Sequence, residues 1–302
     1  MNILVVGGTG LIGGHAALHL ASLGHRVTLA ARKPAQAGSA LATLPFQKLD
    51  YINGPIRLEA LKTFDAMVFA AGNDIRHLPP GTDEAAHWQR ANVEAVPAFF
   101  AQARDAGIER AVLIGSFYPQ AAPQLVEKNS YVRGRKLSDE GARALATKDF
   151  HVCSLNAPFV AGTVPGLVVP GLQAHAHYAL GRIPQIPPFA IVGGVNFIST
   201  VSLSEAVAGA LARGENGKAY LVGDENLTFQ DYFGTYFEAA GRTEPLPVLD
   251  QEHPLLPDAA LYAGRGGTVY YEPDPQETKR LGYRRNDMRR CLRDIVEFYR
   301  NP

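Results

Sequence analysis

Five glycines within eight residues, Gly7, Gly8, Gly10, Gly13 and Gly14, open this chain in the run GGTGLIGG. They follow a short apolar run rich in branched residues and precede a helical pattern, which is what phosphate binding asks of a backbone. The first glycines permit a turn that side chains would block. The middle ones let the backbone approach a pyrophosphate, and Gly13 lets helix and strand pack closely. The helix N-terminus adds free N–H groups and positive partial charge for the same anion. The spacing reads as GxGxxG from Gly8 or GxxGxxG from Gly7, and sets Gly7, Thr9, Gly10, Leu11, Ile12 and Gly13 against a dinucleotide. About 20 residues on, NAD-selective folds place an Asp or Glu for the ribose hydroxyls. Here Ala30 and Ala31 are followed by Arg32 and Lys33. Two cations without a carboxylate suit a 2′-phosphate, so NADP(H) is the expected cofactor. The alternative is that Arg32 and Lys33 are solvated loop charges.

These residues need a parallel sheet to hold them. Asn2–Val6, Arg26–Ala31, Phe46–Leu49, Ala66–Ala70, Arg110–Ile114 and His151–Leu155 read as its strands, with Ala219–Val222 a further one. Asp50, ending the third strand, stands where a carboxylate could reach an adenine amino group. Ala70, Ala71 and Gly72 are the small residues a cofactor crossing the sheet requires. A helix over about 83–106 carries Asn92 near its apolar stripe, either as part of a network behind the active site or as a core amide at a backbone bend. Gly115 and Ser116 end the fifth strand, where a hydroxyl points toward the ligand crevice. Ser130–Glu140 opens the next helix, to about Thr147. Thr163–Val195 mixes proline and glycine with apolar residues and is expected to leave the sheet. Asn196–Val201 returns as a strand, Leu203–Arg213 and Thr228–Ala240 read as helices, and an arginine-rich amphipathic helix closes the chain over about 286–299.

The 302 residues, 46% hydrophobic, suffice for one large α/β domain or a domain plus a lobe. Twenty-nine basic residues balance twenty-nine acidic ones, which gives no global field for nucleic acid or an anionic membrane. Cys153 and Cys291 make no disulfide framework, no apolar run reaches bilayer length, and the first strand leaves no room for a signal peptide; a cytoplasmic protein is expected. His15 and His19, four apart, and His175 and His177, two apart, lack a third ligand, so no metal is expected.

The chain resembles the extended short-chain dehydrogenase/reductase superfamily, in its epimerase/dehydratase-like and dihydroflavonol reductase-like branch. The resemblance rests on GGTGLIG at 7–13, FAAG at 69–72, Asn92, Ser116, Tyr131 and NAPFVAG at 156–162, and covers nearly the whole chain. It implies a doubly wound parallel sheet (Rossmann) over 1–162 and about 196–223. A small substrate lobe would comprise about 163–195 and 224–302. It also implies cofactor contacts at Pro158 and Val160, and a homodimer through the helices near 84–106 and 131–147.

The resemblance further implies that Tyr131 gives a proton to a carbonyl oxygen that Ser116 holds. A phenol ordinarily titrates near ~10, and it can act near neutrality only if positive charge lowers that value. The family uses a lysine four residues on, whereas this chain has Arg135 there and Lys136 one place further. Residues four apart share a helix face, while residues five apart are turned by about 140°. Geometry favours Arg135; a π-bulge or a later helix start would bring Lys136 round instead. An apolar wall, including Leu167, Leu172, Tyr178, Ile183 and Phe189, suggests a medium-sized, largely apolar carbonyl substrate, unless these residues only pack the lobe. The expected function is NADPH-dependent carbonyl reduction or its reverse. The alternatives are a nucleotide-sugar epimerase or dehydratase, and a non-catalytic NmrA-like NADP(H) sensor.

Overall fold

The computed structural model describes residues 1–54, 57–75, 78 and 81–300. In chain order the elements to the end of the first crossover set are β1 (Asn2–Val6), α1 (Leu11–Ser22), β2 (Arg26–Ala31), β3 (Phe46–Lys48), α2 (Leu58–Leu61), β4 (Ala66–Phe69), α3 (Glu84–Trp88), α4 (Ala95–Asp105) and β5 (Arg110–Ser116). There follow α5 (Tyr118–Ala121), α6 (Ser130–Arg143), β6 (His151–Ala157), β7 (Phe159–Ala161), α7 (Pro170–Ala179), β8 (Ala190–Ile191), β9 (Gly194–Ser199), α8 (Thr200–Arg213) and β10 (Ala219–Leu221). The chain closes with β11 (Glu225–Thr228), α9 (Phe229–Ala239), β12 (Val248–Leu249), β13 (Thr268–Val269), α10 (Pro275–Leu281) and α11 (Met288–Arg300).

Seven parallel strands form the main sheet in the order β10-β6-β5-β4-β1-β2-β3. Both faces are covered, which is why β1 is apolar at every interior position. Ile3 and Val5 join the core beneath α1 and α8, while Leu4 and Val6 join the core beneath α4 and α6. The strand order reverses between β1 and β4, so the crevice at their C-terminal ends is the topological switch point where doubly wound sheets bind ligands.

Several elements differ from the sequence reading. The helix expected over 83–106 contains a π-helical stretch at Gln89–Glu94 between α3 and α4. Strands β5 and β6 each run two residues further than expected, pairing Gly115 with Asn156 and Ser116 with Ala157. Glycine allows this, since a Cβ on residue 115 would collide with Asn156 Oδ1. The strand expected over 196–201 is β9, and it joins a smaller sheet with β7, β11 and β13 rather than the main one. Its end is set by Ser199, whose hydroxyl accepts from Ser202 N and starts α8 three residues early.

A third core of aromatic residues, including Tyr178, Phe197, Phe233 and Tyr236, joins α7, α9 and α11 around the smaller sheet. Leu172, Tyr178 and Phe189, expected on a substrate-facing wall, are interior to this core and pack it. Among the described residues, no helix is long and apolar enough to cross a membrane.

Candidate active site at the sheet's C-terminal edge

The turn from β1 into α1 is built so that only glycine fits at positions 7 and 13. Gly7 has φ +80°, and a Cβ there would sit 2.7 Å from Ala71 N, while a Cβ on Gly13 would lie 2.5 Å from Gly7 O. Gly10 caps α1 without any side-chain hydrogen bond, so the N-terminal N–H groups face no capping oxygen of their own. This cradle fits a pyrophosphate on backbone and helix terminus alone. Leu11, Ile12, Ala70 and Val160 pack together on the core below it, and Thr9 is half-buried in the turn. Pro158 is buried between β6 and β7.

Beyond β2, Arg32 and Lys33 are exposed and engage no hydrogen bond or ion pair among the described residues. Asp50 is turned inward on its own loop. Its carboxylate accepts from Ile52 N at 3.0 Å, Asn53 N at 3.1 Å and Asn53 Nδ2 at 3.4 Å. Burial alone would raise its pKa, but these hydrogen bonds and the Arg32 charge bring it below the ordinary carboxylate value. The structure thus gives Asp50 a turn-capping role that the sequence reading did not foresee. Tyr51, also unforeseen, donates to Ala71 O at 3.1 Å and braces the small-residue loop after β4.

Helix α6 carries both Tyr131 and Arg135. Asn129 caps it, accepting from Val132 N, so that Tyr131 lies within the first turn and the helix is regular from there on. Tyr131, Arg135, Asp139 and Arg143 fall at four-residue intervals on one face. Arg135 Nη1 lies 3.5 Å from Tyr131 Oη, and Nη2 donates to Ile114 O at 2.9 Å. The guanidinium reaches over Gly72, where a Cβ would come within 2.9 Å of Nη1. Further along, Asp139 accepts from Arg143 at 2.9 and 3.1 Å, and Asn156 donates to Gln120 at 2.7 Å and to Asp139 at 3.5 Å. These bonds fasten α6 to the ends of β5 and β6.

Lys136, the alternative to Arg135, is not brought to the phenol. With no π-bulge in α6 it faces along the helix and pairs with Glu140 at 2.5 Å, its side chain 39% exposed. A π-helical stretch, the alternative that would have brought Lys136 round, does occur in the chain, but at Gln89–Glu94, where it contains Asn92. Asn92 is buried at 2% exposure, lies within this non-α stretch and donates to Asn73 O at 3.4 Å. Asn73 in turn meets His87 Nε2 through Oδ1 at 2.9 Å. Ser116 is the last residue of β5, half-buried on the same edge, with a hydroxyl that no protein group engages among the described residues.

Three aromatic residues at the site were not singled out as site residues in the sequence. Trp88 meets Tyr131 edge-on at 5.4 Å, Tyr262 stacks on it at 4.4 Å, and Tyr118 meets Tyr262 at 5.4 Å. Trp88 approaches because Gly134 leaves room, a Cβ there lying 3.3 Å from Trp88 Cβ.

Comparison with solved structures places the fold among known enzymes. The protein named gox2253 aligns with TM-score 0.78 and 20% identity over 99% of this chain and 98% of its own. A UDP-glucose-4-epimerase of Stenotrophomonas maltophila, solved with NAD and formylated UDP-arabinopyranose, aligns with TM-score 0.77 and 18% identity over 99% and 98%. The Bordetella bronchiseptica enzyme WbmG, solved with NAD, gives 0.72 and 17% over 99% and 94%. A search of curated proteins finds no match. The model of the NAD dependent epimerase/dehydratase family matches residues 3–184, more than half of the chain, which therefore belongs to that family.

Proposed function

We propose that this protein is an NADP(H)-dependent oxidoreductase that moves hydride between nicotinamide and a carbonyl or alcohol of a medium-sized, mostly apolar molecule. The observation that carries the reading is the Tyr131–Arg135 pair, held at the switch-point edge with its guanidinium over Gly72. Gly7, Gly10, Gly13 and the start of α1 would hold the pyrophosphate, and the uncommitted Arg32 and Lys33 favour a 2′-phosphate. The nicotinamide, when bound, supplies or accepts the hydride.

Tyr131 Oη gives its proton to the oxygen of a carbonyl, or takes one from an alcohol in the reverse direction. Arg135 stays charged and cannot itself release a proton, so its part is electrostatic. It favours the phenolate that Tyr131 becomes. Ser116 holds the substrate oxygen by a hydrogen bond. The engagement of four of the lobe's arginines supports a neutral substrate. Arg182 donates to Tyr299 O and Arg300 O, Arg242 pairs with Glu244, Arg265 with Asp258, and Arg285 with Asp224 and Glu272. A diphosphate would have to draw such groups away from their partners.

The test is a panel of aldehydes and ketones with NADPH and with NADH, followed at the nicotinamide absorbance. Turnover with a lower KM for NADPH is expected. A clear preference for NADH refutes the cofactor assignment, and no turnover with any carbonyl leaves a nucleotide-holding protein. The second reading, epimerisation or dehydration of a nucleotide sugar, draws on the family and on the ligands named for its structural neighbours. Conversion of a UDP-sugar without net change in nicotinamide absorbance would favour it.

A further inference from the structure

Tyr131 is only 8% exposed, and aromatic side chains are what close it. Tyr262 lies flat against its ring, with centroids 4.4 Å apart and planes at 14°, and Trp88 meets its edge at 75°. Tyr118 meets Tyr262 edge-on at 89°, with Phe117 packed on Tyr118 at 4.1 Å. Arg135, 5.9 Å from the Tyr131 ring centre, is the cation of this cage.

Tyr262 arrives from a strap, residues 250–267, that runs between β12 and β13 with a short 3-10 turn at Asp258–Ala260. The strap is fastened at several points. Leu255 O meets His175 Nε2 at 3.0 Å, Arg265 bonds Asp258 at 2.9 Å, and Gly266 N donates to Val192 O at 3.3 Å. The smaller lobe therefore presents the Tyr262 ring to Tyr131 through a defined scaffold. The Tyr262 ring thereby covers one face of the Tyr131 ring.

We propose that Tyr262 determines substrate specificity, as a stacking platform and a size limit over Tyr131, and that the site takes an uncharged carbonyl compound bearing a flat ring. The inference rests on the reading of Tyr131 as the proton-transferring group. A flat ring entering the cage exchanges one set of aromatic contacts for another and gives up little. A sugar must surrender hydrogen bonds to water for ring faces that cannot replace them. A diphosphate would bring negative charge to π faces that repel it.

Trp88 is the only tryptophan in the chain and stands edge-on to Tyr131, so its fluorescence reports occupancy of the cage without requiring turnover. The experiment uses the full chain saturated with NADP+, titrated with acetophenone, benzophenone and UDP-glucose, in wild type, Tyr262→Phe and Tyr262→Ala. In wild type, acetophenone gives a saturable Trp88 signal, benzophenone binds more weakly, and UDP-glucose gives no saturable signal. Tyr262→Phe keeps acetophenone affinity within about threefold. Tyr262→Ala weakens acetophenone at least tenfold and reverses its order with benzophenone. If Tyr262→Ala loses its near-UV circular dichroism, Tyr262→Leu is measured in its place, with the same reversal expected. An unchanged order in the truncated variant, or saturable UDP-glucose binding without ketone binding, overturns the inference. The predicted affinities without any turnover would refute the redox reading and leave this one standing. Turnover with an unchanged order does the opposite.

Discussion

Replacing Gly13 with alanine sets two known effects against each other. In a helix interior the change from glycine to alanine gains about 1 kcal/mol from backbone entropy and propensity. At Gly13, however, the added Cβ would lie 2.5 Å from Gly7 O, 2.8 Å from Gly7 C and 3.1 Å from Gly8 Cα. Ordinary contact lies at roughly 3.5 to 4 Å, so α1 must move about 1 Å away from the β1 turn. Both sides of this clash are backbone, so no rotamer relieves it, and overpacking of this kind costs about 1–3 kcal/mol. A net loss of up to about 2 kcal/mol is expected, a fall of up to several degrees in Tm for a domain of this size. Gly234→Ala in α9 is the matched control, because a Cβ there meets nothing within 4 Å, and it should gain about 1 kcal/mol. Thermal melts of both variants with and without NADPH, and NADPH titration by nicotinamide fluorescence, measure the contrast. Gly13→Ala should bind NADPH at least tenfold more weakly, while Gly234→Ala binds as wild type. A Gly13→Ala protein that melts higher and binds NADPH normally would refute the close-packed cradle.

Arg135→Gln removes a positive charge 3.5 Å from the Tyr131 hydroxyl, worth about 1–4 kcal/mol between water-like and surface dielectrics. Turnover should fall about 10- to 1,000-fold, and unchanged kcat would remove Arg135 from the proton step. Lys136→Ala breaks only an exposed pair with Glu140, so stability should change by less than about 1 kcal/mol and kcat within a factor of about three. A large loss of kcat would return Lys136 to the site. Arg32→Ala should raise KM for NADPH at least tenfold and leave KM for NADH unchanged; equal effects on both would make Arg32 a general loop charge. Acid should destabilise the fold through His15, which burial and then the His19 and Arg290 charges hold down at about 4. Its folded pKa lies below the ordinary 6.5, so between those values the unfolded chain binds a proton that the folded one refuses. Stability should therefore fall as pH drops from about 6.5 to 4, by at most about 1.4 kcal/mol per unit. Urea midpoints across that range check this, and His15→Gln should flatten the slope.

The strand, glycine turn and helix proposed to hold a nucleotide were legible because their signals are local. Strand, glycine turn and helix are contiguous over Asn2–Ser22, and each glycine answers to a contact a few residues away or across one strand pair. The choice between Arg135 and Lys136 was also local, since a regular α6 fixes which residue shares a face with Tyr131. The cage was not legible. Tyr262 comes from a glycine- and proline-punctuated strap far along the chain, whose conformation is set by tertiary contacts such as His175 with Leu255 rather than by any period in its own sequence. Asp50 lies two residues beyond the end of β3 rather than at it, and its rotamer depends on the Asn53 turn that follows, which spacing does not reveal. The apolar residues of 163–195 announced burial without saying against what. Leu172, Tyr178 and Phe189 turned out to be interior to the lobe.

The proton step at the phenol can be isolated with one substitution. Tyr131→Phe keeps the ring, and with it the stack on Tyr262 at 4.4 Å and the edge contact with Trp88, while removing the hydroxyl that Arg135 faces. Single-turnover reduction of a reactive carbonyl by bound NADPH, with NADPH affinity measured on the same protein, should show the rate constant reduced about 100- to 10,000-fold and the affinity unchanged within about threefold. Hydride transfer at the wild-type rate by Tyr131→Phe would contradict the account.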